Sequence, residues 1–384
     1  MDTFIYNKFV TGKNFIGRRN ETNILGNLLS QSENVVIYEP PKAGKTSLIQ
    51  QTFFNMKIAG KRFNIAQLSL LNIRTRADLM MRLGTTLIRV VASTPDEYAQ
   101  AVHKYLGATH FIFDPEVFAA KDQILSLNWD IDENDVKAIL SLPYNIAADM
   151  GVQLYVIIDE FQNVMLTEDG DKLLKVFESV IKGVPEEFRR KACFIFSGSQ
   201  YNAMNDIFQV KRYFWRMVER VELQEIETKD IVDSVVRSFL ASGKVIERDL
   251  VTGVCKLFRN NIFYINHFAA ICDSLTKGYI MEPVMVDSLD AILAIHEPRF
   301  VAIMNDLTTF QVCLLRAILD GHTKFSSSEV IRHYNLNSSA NVRRLKDALC
   351  KKEIVAFDNE EEPRILDPLF EYWVAKYYFE IKQR

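Results

Sequence analysis

Cysteine is scarce and scattered in this chain: Cys193, Cys255, Cys272, Cys313 and Cys350 are the only five in 384 residues. Their number is odd and no pair has the short spacing of a zinc site, so neither a disulfide framework nor a metal knuckle is expected. Each reads as a buried thiol. Apolar runs are short, and none approaches the ~20 residues that span a bilayer. The opening stretch MDTFIYNKFVTGKNF holds no apolar core of signal-peptide length. A cytoplasmic location, with no membrane partner, is the expectation. A surplus of one charge is also missing. The formal net charge of -3 excludes a surface built wholly for nucleic acid and leaves room only for a local basic patch. Internal repeats and low-complexity tracts are absent.

What is present is globular text, 48% hydrophobic and 25% charged, with enough apolar surface for real cores. The length calls for two or three domains. Over the first 225 residues or so, short β-rich apolar runs alternate with helical stretches. Residues 34–38 (NVVIY), 63–70 (FNIAQLSL), 154–158 (LYVII) and 193–197 (CFIFS) are strand candidates, with helices expected at 47–56 and 76–91. Continuous apolar strands separated by helices imply a parallel sheet covered on both faces, a three-layer α/β architecture. Residues 95–135 break the rhythm and read as an insertion of mixed helical and loop text. From about residue 228 the strands stop, and helical spacing takes over through 229–242, 247–257, 263–276 and 284–306. The last part reads as three helices (307–319, 330–334 after a Ser-Ser-Ser-Glu capping signal, 338–352) and a hairpin of 354–357 with 364–366. That is the order of a winged helix. The expected domains are a core at 1–226, a helical domain with its connector at 227–306, and a winged helix at 307–384.

The strongest chemical signal is Val35-Val36-Ile37-Tyr38-Glu39-Pro40-Pro41-Lys42-Ala43-Gly44-Lys45-Thr46-Ser47. A buried strand runs into a short loop, and Gly-Lys-Thr then opens a helix, which is the context a phosphate loop requires. Backbone N–H groups from Pro41 to Ser47, less the prolines, would wrap ATP phosphates at the positive end of the helix dipole. Lys45 would neutralise the β- and γ-phosphates, and Thr46 would offer its hydroxyl to Mg2+. Gly44 permits close backbone approach. Glu39 stands where the pattern wants glycine, and two prolines remove two amide donors. Both departures point to slow turnover.

The run Leu154-Tyr155-Val156-Ile157-Ile158-Asp159-Glu160 ends an apolar strand in two carboxylates. Ligands of a parallel sheet sit outside the carboxyl ends of its strands. Asp159 is therefore placed for the metal, and Glu160 for orienting and deprotonating the attacking water. A second strand ends Phe196-Ser197-Gly198-Ser199, where either Ser197 or Ser199 could meet the γ-phosphate or the water. Arg216, among aromatics in Tyr213-Phe214-Trp215-Arg216, reads either as a cation–π contact or as an arginine for transition-state charge.

Taken in order, these motifs resemble the archaeal-type ATPase family, AAA-like signal-transduction ATPases of the STAND group. The resemblance is carried by Phe15-Ile16-Gly17-Arg18-Arg19-Asn20-Glu21, the GKTSLI loop, IIDEFQ, the F-S-G-S turn, Arg216 before Val221-Glu222-Leu223, and Asp367-Pro368-Leu369-Phe370. It implies an AAA-like P-loop NTPase core, a helical lid and a C-terminal winged helix. It also implies that Phe15, Ile16, Gly17 and Arg18 lie beside the adenine, and that Arg216 is a candidate for the γ-phosphate in cis or from a neighbouring subunit. Asn261-Ile262-Phe263 replaces a Gly-x-Pro turn common in such lids, which questions lid-to-nucleotide contact.

Helix 338–352 carries five basic residues and one acid, whereas the wing after it holds Asp358, Glu360, Glu361 and Glu362. The helix suits duplex DNA and the wing does not. The favoured reading is a nucleotide-operated switch that hydrolyses ATP to ADP. An ATP-controlled DNA-binding regulator and an ATP-binding pseudo-ATPase scaffold are the alternatives. A protein partner or self-association fits each of them.

Overall fold

The computed structural model describes residues 3–357 and 362–381. The chain packs as two compact units. One, the sheet unit, comprises Arg19–Glu39 and Gln51–Leu223. The other, the helical unit, comprises Met1–Arg18, Pro40–Gln50 and Gln224–Arg384. No helix among the described residues is long and apolar enough to cross a membrane. None of the five cysteines is paired in a disulfide, and Cys193, Cys255 and Cys272 are buried.

The strands of the sheet unit are β1 (Asn34–Tyr38), β2 (Phe63–Ser69), β3 (Phe111–Phe113), β4 (Leu125–Leu127), β5 (Gln153–Asp159), β6 (Ala192–Gly198) and β7 (Val218–Arg220). Five form the central sheet in the order β2-β5-β6-β1-β7, and every neighbouring pair is parallel. Each residue of β1 and β6 is buried, as expected for inner strands with helices on both faces. Asn34 holds the start of β1 to both neighbours. Its Oδ1 accepts from Phe194 N at 2.8 Å, and its Nδ2 donates to the Met217 carbonyl at 3.2 Å. A cluster of rings underlies the sheet's carboxyl edge, with Phe161 and Phe196 at 4.4 Å and Phe196 and Phe214 at 5.3 Å between centroids.

The stretch read as an insertion of mixed helical and loop text at 95–135 is mostly regular. Thr94 and Glu97 form a capping box on the helix Pro95–Leu106, and β3 and β4 pair antiparallel. Three-residue strands carry too little periodicity to be read from sequence. The helix Glu133–Met150 follows, opened by a second capping box from Asp132 and Asp135. β7, at the edge of the main sheet, is equally short and equally silent.

In the helical unit the expectation that strands stop needs one correction. β8 (Val245–Ile246) and β9 (Tyr279–Ile280) pair parallel, and two-residue strands leave no pattern in the text. The helices Thr228–Ala241, Arg248–Leu257, Ile262–Leu275 and Glu282–Asn305 follow the expected spacing. The terminal part has helices Thr309–Leu319, Ser328–His333 and Ser339–Lys351, then β10 (Val355–Phe357) paired antiparallel with β11 (Pro363–Ile365). Thr308, Ser327 and Ser338 cap the three helices through their hydroxyls. Of the acidic wing, Asp358, Glu360 and Glu361 lie outside the described residues. A short helix, Pro368–Trp373, is capped by Asp367. The same Asp367 carboxylate receives Arg299 at 2.6 Å and the Tyr264 hydroxyl at 2.9 Å, tying this short helix to the helices Glu282–Asn305 and Ile262–Leu275.

Candidate nucleotide site

The phosphate loop leaves the end of β1 and packs with the helical unit. Pro40 offers its carbonyl to Ala43 N at 3.4 Å and to the Lys45 ammonium at 3.0 Å. Lys45 is thus buried and folded onto its own loop. Gly44 sits at φ +97°, and a Cβ there would stand 2.7 Å from Arg18 Nη1. The Arg18 guanidinium crosses the loop and donates to the Ala43 carbonyl at 2.7 Å. Glycine at 44 therefore answers both a left-handed backbone and the approach of an arginine.

Lys42, Gly44, Lys45, Thr46 and Ser47 form one wall of a cavity of about 560 Å³. Phe15, Ile16 and Arg18 line it too, so the segment before the loop and the loop itself face one space. Pro41, Ala43 and Gly17 are not in its wall. Gly17 packs instead beside Ile226, whose Cγ2 would lie 2.8 Å from an added Cβ. Two groups of wall residues were not legible beforehand. The first is the N-terminal segment 5–10, secured by Asn266 Nδ2 to the Ile5 carbonyl at 2.9 Å and by Val10 N to Ser47 Oγ at 3.2 Å. Tyr6 within it stacks on His267 at 4.2 Å and 11°. The second is Ile262, Phe263 and Asn266 on the lid helix. Asn261, the departure from Gly-x-Pro, caps this helix by accepting from Phe263 N and Tyr264 N, so the lid faces the cavity without that turn.

In the sheet unit, Tyr38, Asp159 and Gly198 end the parallel strands β1, β5 and β6, with β6 between the other two. The chain therefore leaves all three at the same sheet edge, and the phosphate loop begins at one of these exits. Asp159 Oδ1 accepts from Glu160 N at 3.0 Å. Glu160 turns left-handed, φ 53°, and starts the 3-10 helix Phe161–Leu166. Its Oε2 accepts from Ser199 Oγ at 2.8 Å. Ser199 thus meets the candidate base, whereas Ser197 is buried inside β6 at 2% exposure.

Comparison with known structures gives the same architecture over almost the whole chain. A Walker-type ATPase of Pyrococcus abyssi matches with a TM-score of 0.67 at 16% identity, covering 96% of this chain and 99% of that one. The ORC2 protein of Aeropyrum pernix in its ADP form matches with a TM-score of 0.56 at 12% identity, over 96% and 93%. Residues 298–376 match the family model described as a probable winged helix domain. No curated protein sequence matches the chain. The chain therefore shares the fold of the two matched proteins, a parallel-sheet α/β core followed by helices, and ends in a winged helix domain.

Two arginines lie at the edge of the main sheet. Arg216 is exposed and left-handed at φ 58°, in a loop where Arg212 and Phe214 are left-handed as well. Three such non-glycine residues in five mark a strained segment, held by Phe214 N donating to Glu178 Oε1 at 2.7 Å. Among the described residues Arg216 makes no hydrogen bond or ion pair. Four residues on, Arg220 lies half-buried in β7 with its guanidinium 4.3 Å from the Tyr38 ring centre. Burial pushes the Tyr38 phenol up to about 12, and it donates to Asn205 Oδ1 at 3.2 Å. This aromatic–arginine pair lies at the end of β1, the strand that leads into the loop.

Proposed function

We propose that this chain binds ATP at the phosphate loop, hydrolyses it, and works as a nucleotide-operated switch. The carrying observation is the cavity of about 560 Å³, within the usual range for small-ligand sites. Its wall joins phosphate-loop residues to Phe263 and Asn266 of the lid helix. A nucleotide there would touch loop and lid together. The ADP form of the structurally similar ORC2 protein supports a nucleotide as the ligand.

In this reading Lys45 leaves the Pro40 carbonyl for the β- and γ-phosphates, and Phe15 and Ile16 supply apolar contact to the adenine with Gly17 and Arg18 beside them. Thr46 and Asp159 are hard oxygen donors, which suit Mg2+; bound, the ion neutralises phosphate charge. Glu160 takes the proton of the attacking water. Ser199 orients Glu160, and Arg216 steadies the γ-phosphate charge in cis or from a second copy. ATP and ADP, differing in their contacts to loop and lid, would favour different arrangements of the two. The test is phosphate release by purified full-length protein, alongside Lys45→Ala and Glu160→Gln. Loss of ATP binding in the first, and retained binding with a hundredfold or greater loss of turnover in the second, is expected on the order of catalytic-base effects. Wild-type turnover no faster than that of the double variant sinks the reading, and ATP binding without turnover would leave a pseudo-ATPase scaffold.

A second output, duplex DNA, is motivated by Arg343 and Arg344, both exposed on the helix Ser339–Lys351. Two other basic residues are engaged within the protein, Lys346 of that helix over the Phe357 ring at 4.3 Å and Lys352, just past its end, in an ion pair with Asp306. Salt-dependent duplex binding should weaken on Arg343→Ala and Arg344→Ala, and the log–log salt slope should fall by about one per lost phosphate contact. Binding that ignores both changes leaves a protein partner or self-association as the output.

A further inference from the structure

Gln162 follows the acidic pair by two residues and is 3% exposed. The left-handed turn at Glu160 (φ 53°) and the anchoring of Phe161 against Phe196 fold it back beneath the Glu160 carboxylate. Its Nε2 donates to Glu160 Oε2 at 2.5 Å. Ser199 gives the same oxygen its hydroxyl at 2.8 Å and its backbone N–H at 3.4 Å. Among the described residues, every hydrogen bond to the Glu160 side chain falls on Oε2, and none falls on Oε1.

The other end of the Gln162 carboxamide explains its orientation. Its Oε1 is buried without a hydrogen-bond partner and faces Gly198, where an added Cβ would come within 2.6 Å of it. A flipped amide would set an acceptor against the Glu160 carboxylate. The observed orientation gives up a bond at Oε1 to keep the one at Nε2. A leucine of similar size would fill this buried place without an orphaned polar atom, an orphan that lowers stability. The amide is therefore retained for what Nε2 does to Glu160.

We infer that Gln162 is a positioning residue for hydrolysis. With Ser199 it grips Oε2 of Glu160, and so reserves Oε1 as the oxygen that receives the water proton. The water oxygen bonds to the γ-phosphorus, the β–γ bridging oxygen departs with ADP, and the proton passes to Oε1 and then to solvent. The inference rests on the ATP-hydrolase reading above and assigns a role that neither motif carried.

The experiment measures kcat, KM, ATP affinity and melting temperature for full-length wild type, Gln162→Leu, Gln162→Glu and Ser199→Ala, and for the Gln162→Leu, Ser199→Ala pair. A misplaced catalytic group costs on the order of 100-fold, so both Gln162 variants should lose about 10- to 100-fold in kcat, with KM and ATP affinity within about twofold. Gln162→Leu should melt no lower than wild type, and Ser199→Ala should cost less in its background than alone, because both donors serve one oxygen. Retained kcat in either Gln162 variant, or a kcat loss matched by an equal loss of ATP affinity, overturns the inference while the hydrolase reading stands. If Gln162→Leu does not fold, Gln162→Glu decides by the same criteria. A wild-type chain without turnover sinks the hydrolase reading itself, and this inference with it.

Discussion

The Lys42 ammonium lies 3.8 Å from the centre of the Phe263 ring, so the phosphate loop and the first turn of the lid helix are joined by a cation–π pair. Lys42 is left-handed, φ 67°, and Phe263 is held by the Asn261 cap at 3.1 Å. Both ends of the pair are thus set by backbone geometry. A pair of this kind contributes roughly 0.5–2 kcal/mol. Replacing Phe263 with leucine keeps the apolar bulk and removes the ring face. Amide hydrogen exchange at residues 42–44 in the absence of nucleotide should then quicken by about 2- to 30-fold. Unchanged exchange would mean the pair contributes nothing to loop order.

Gly44 should tolerate no side chain. A left-handed φ of +97° is costly for an L-residue, about 1–2 kcal/mol, and the clash with Arg18 Nη1 at 2.7 Å adds to it. Gly44→Ala is expected to lower the melting temperature and weaken ATP binding at least tenfold, read by calorimetry. Adding Arg18→Ala should relieve the clash and leave the backbone strain, so recovery should be partial. Full recovery would show that the conformation at 44 is not required.

His296 makes part of the lid pH-sensitive. Burial, then the positive charges of Lys42 and Arg299, lower its imidazole to about 4, with Asp367 acting in the opposite direction. An unfolded histidine titrates near 6.5, so between the two values the unfolded chain binds more protons. Stability must therefore rise with pH across this window. The contribution is complete above about 6.5 and is lost as pH falls toward about 4. His267 shifts the same way, through burial and Lys42. Because His296 stacks on Phe300 at 24°, His296→Phe should fit the site. The melting temperature of wild type should fall relative to this variant as pH drops from 6.5 to 4. A constant difference between the two curves would remove His296 from the account.

Much of the site was legible because its parts are local in the chain. An apolar strand, a short loop and Gly44-Lys45-Thr46 at a helix start follow from neighbouring residues, as does Asp159-Glu160 after five apolar positions. Other parts were written in text without a signature. The segment 5–10 has no periodicity, and only Asn266 and Ser47 give it a place. Asn261 looked like a lost turn and is a cap. Gln162 enters the sequence reading only as the last letter of IIDEFQ. Its amide acquires meaning only beside Ser199, which follows the strand β6.

The sequence by itself determined the chemistry on offer: a phosphate loop, a pair of carboxylates, a small hydroxyl after a strand, and helices capped by their own serines, threonines and asparagines. Each depends on interactions across a few residues, where propensity and hydrogen-bond geometry act directly. The tertiary structure alone decided which residues wall the cavity, which serine reaches Glu160, and which of its two oxygens is gripped. Those contacts join positions 39 apart in the chain for Glu160 and Ser199 and 261 apart for Ile5 and Asn266. Strand order and core packing bring such residues together, and neither is encoded in any one stretch of the chain.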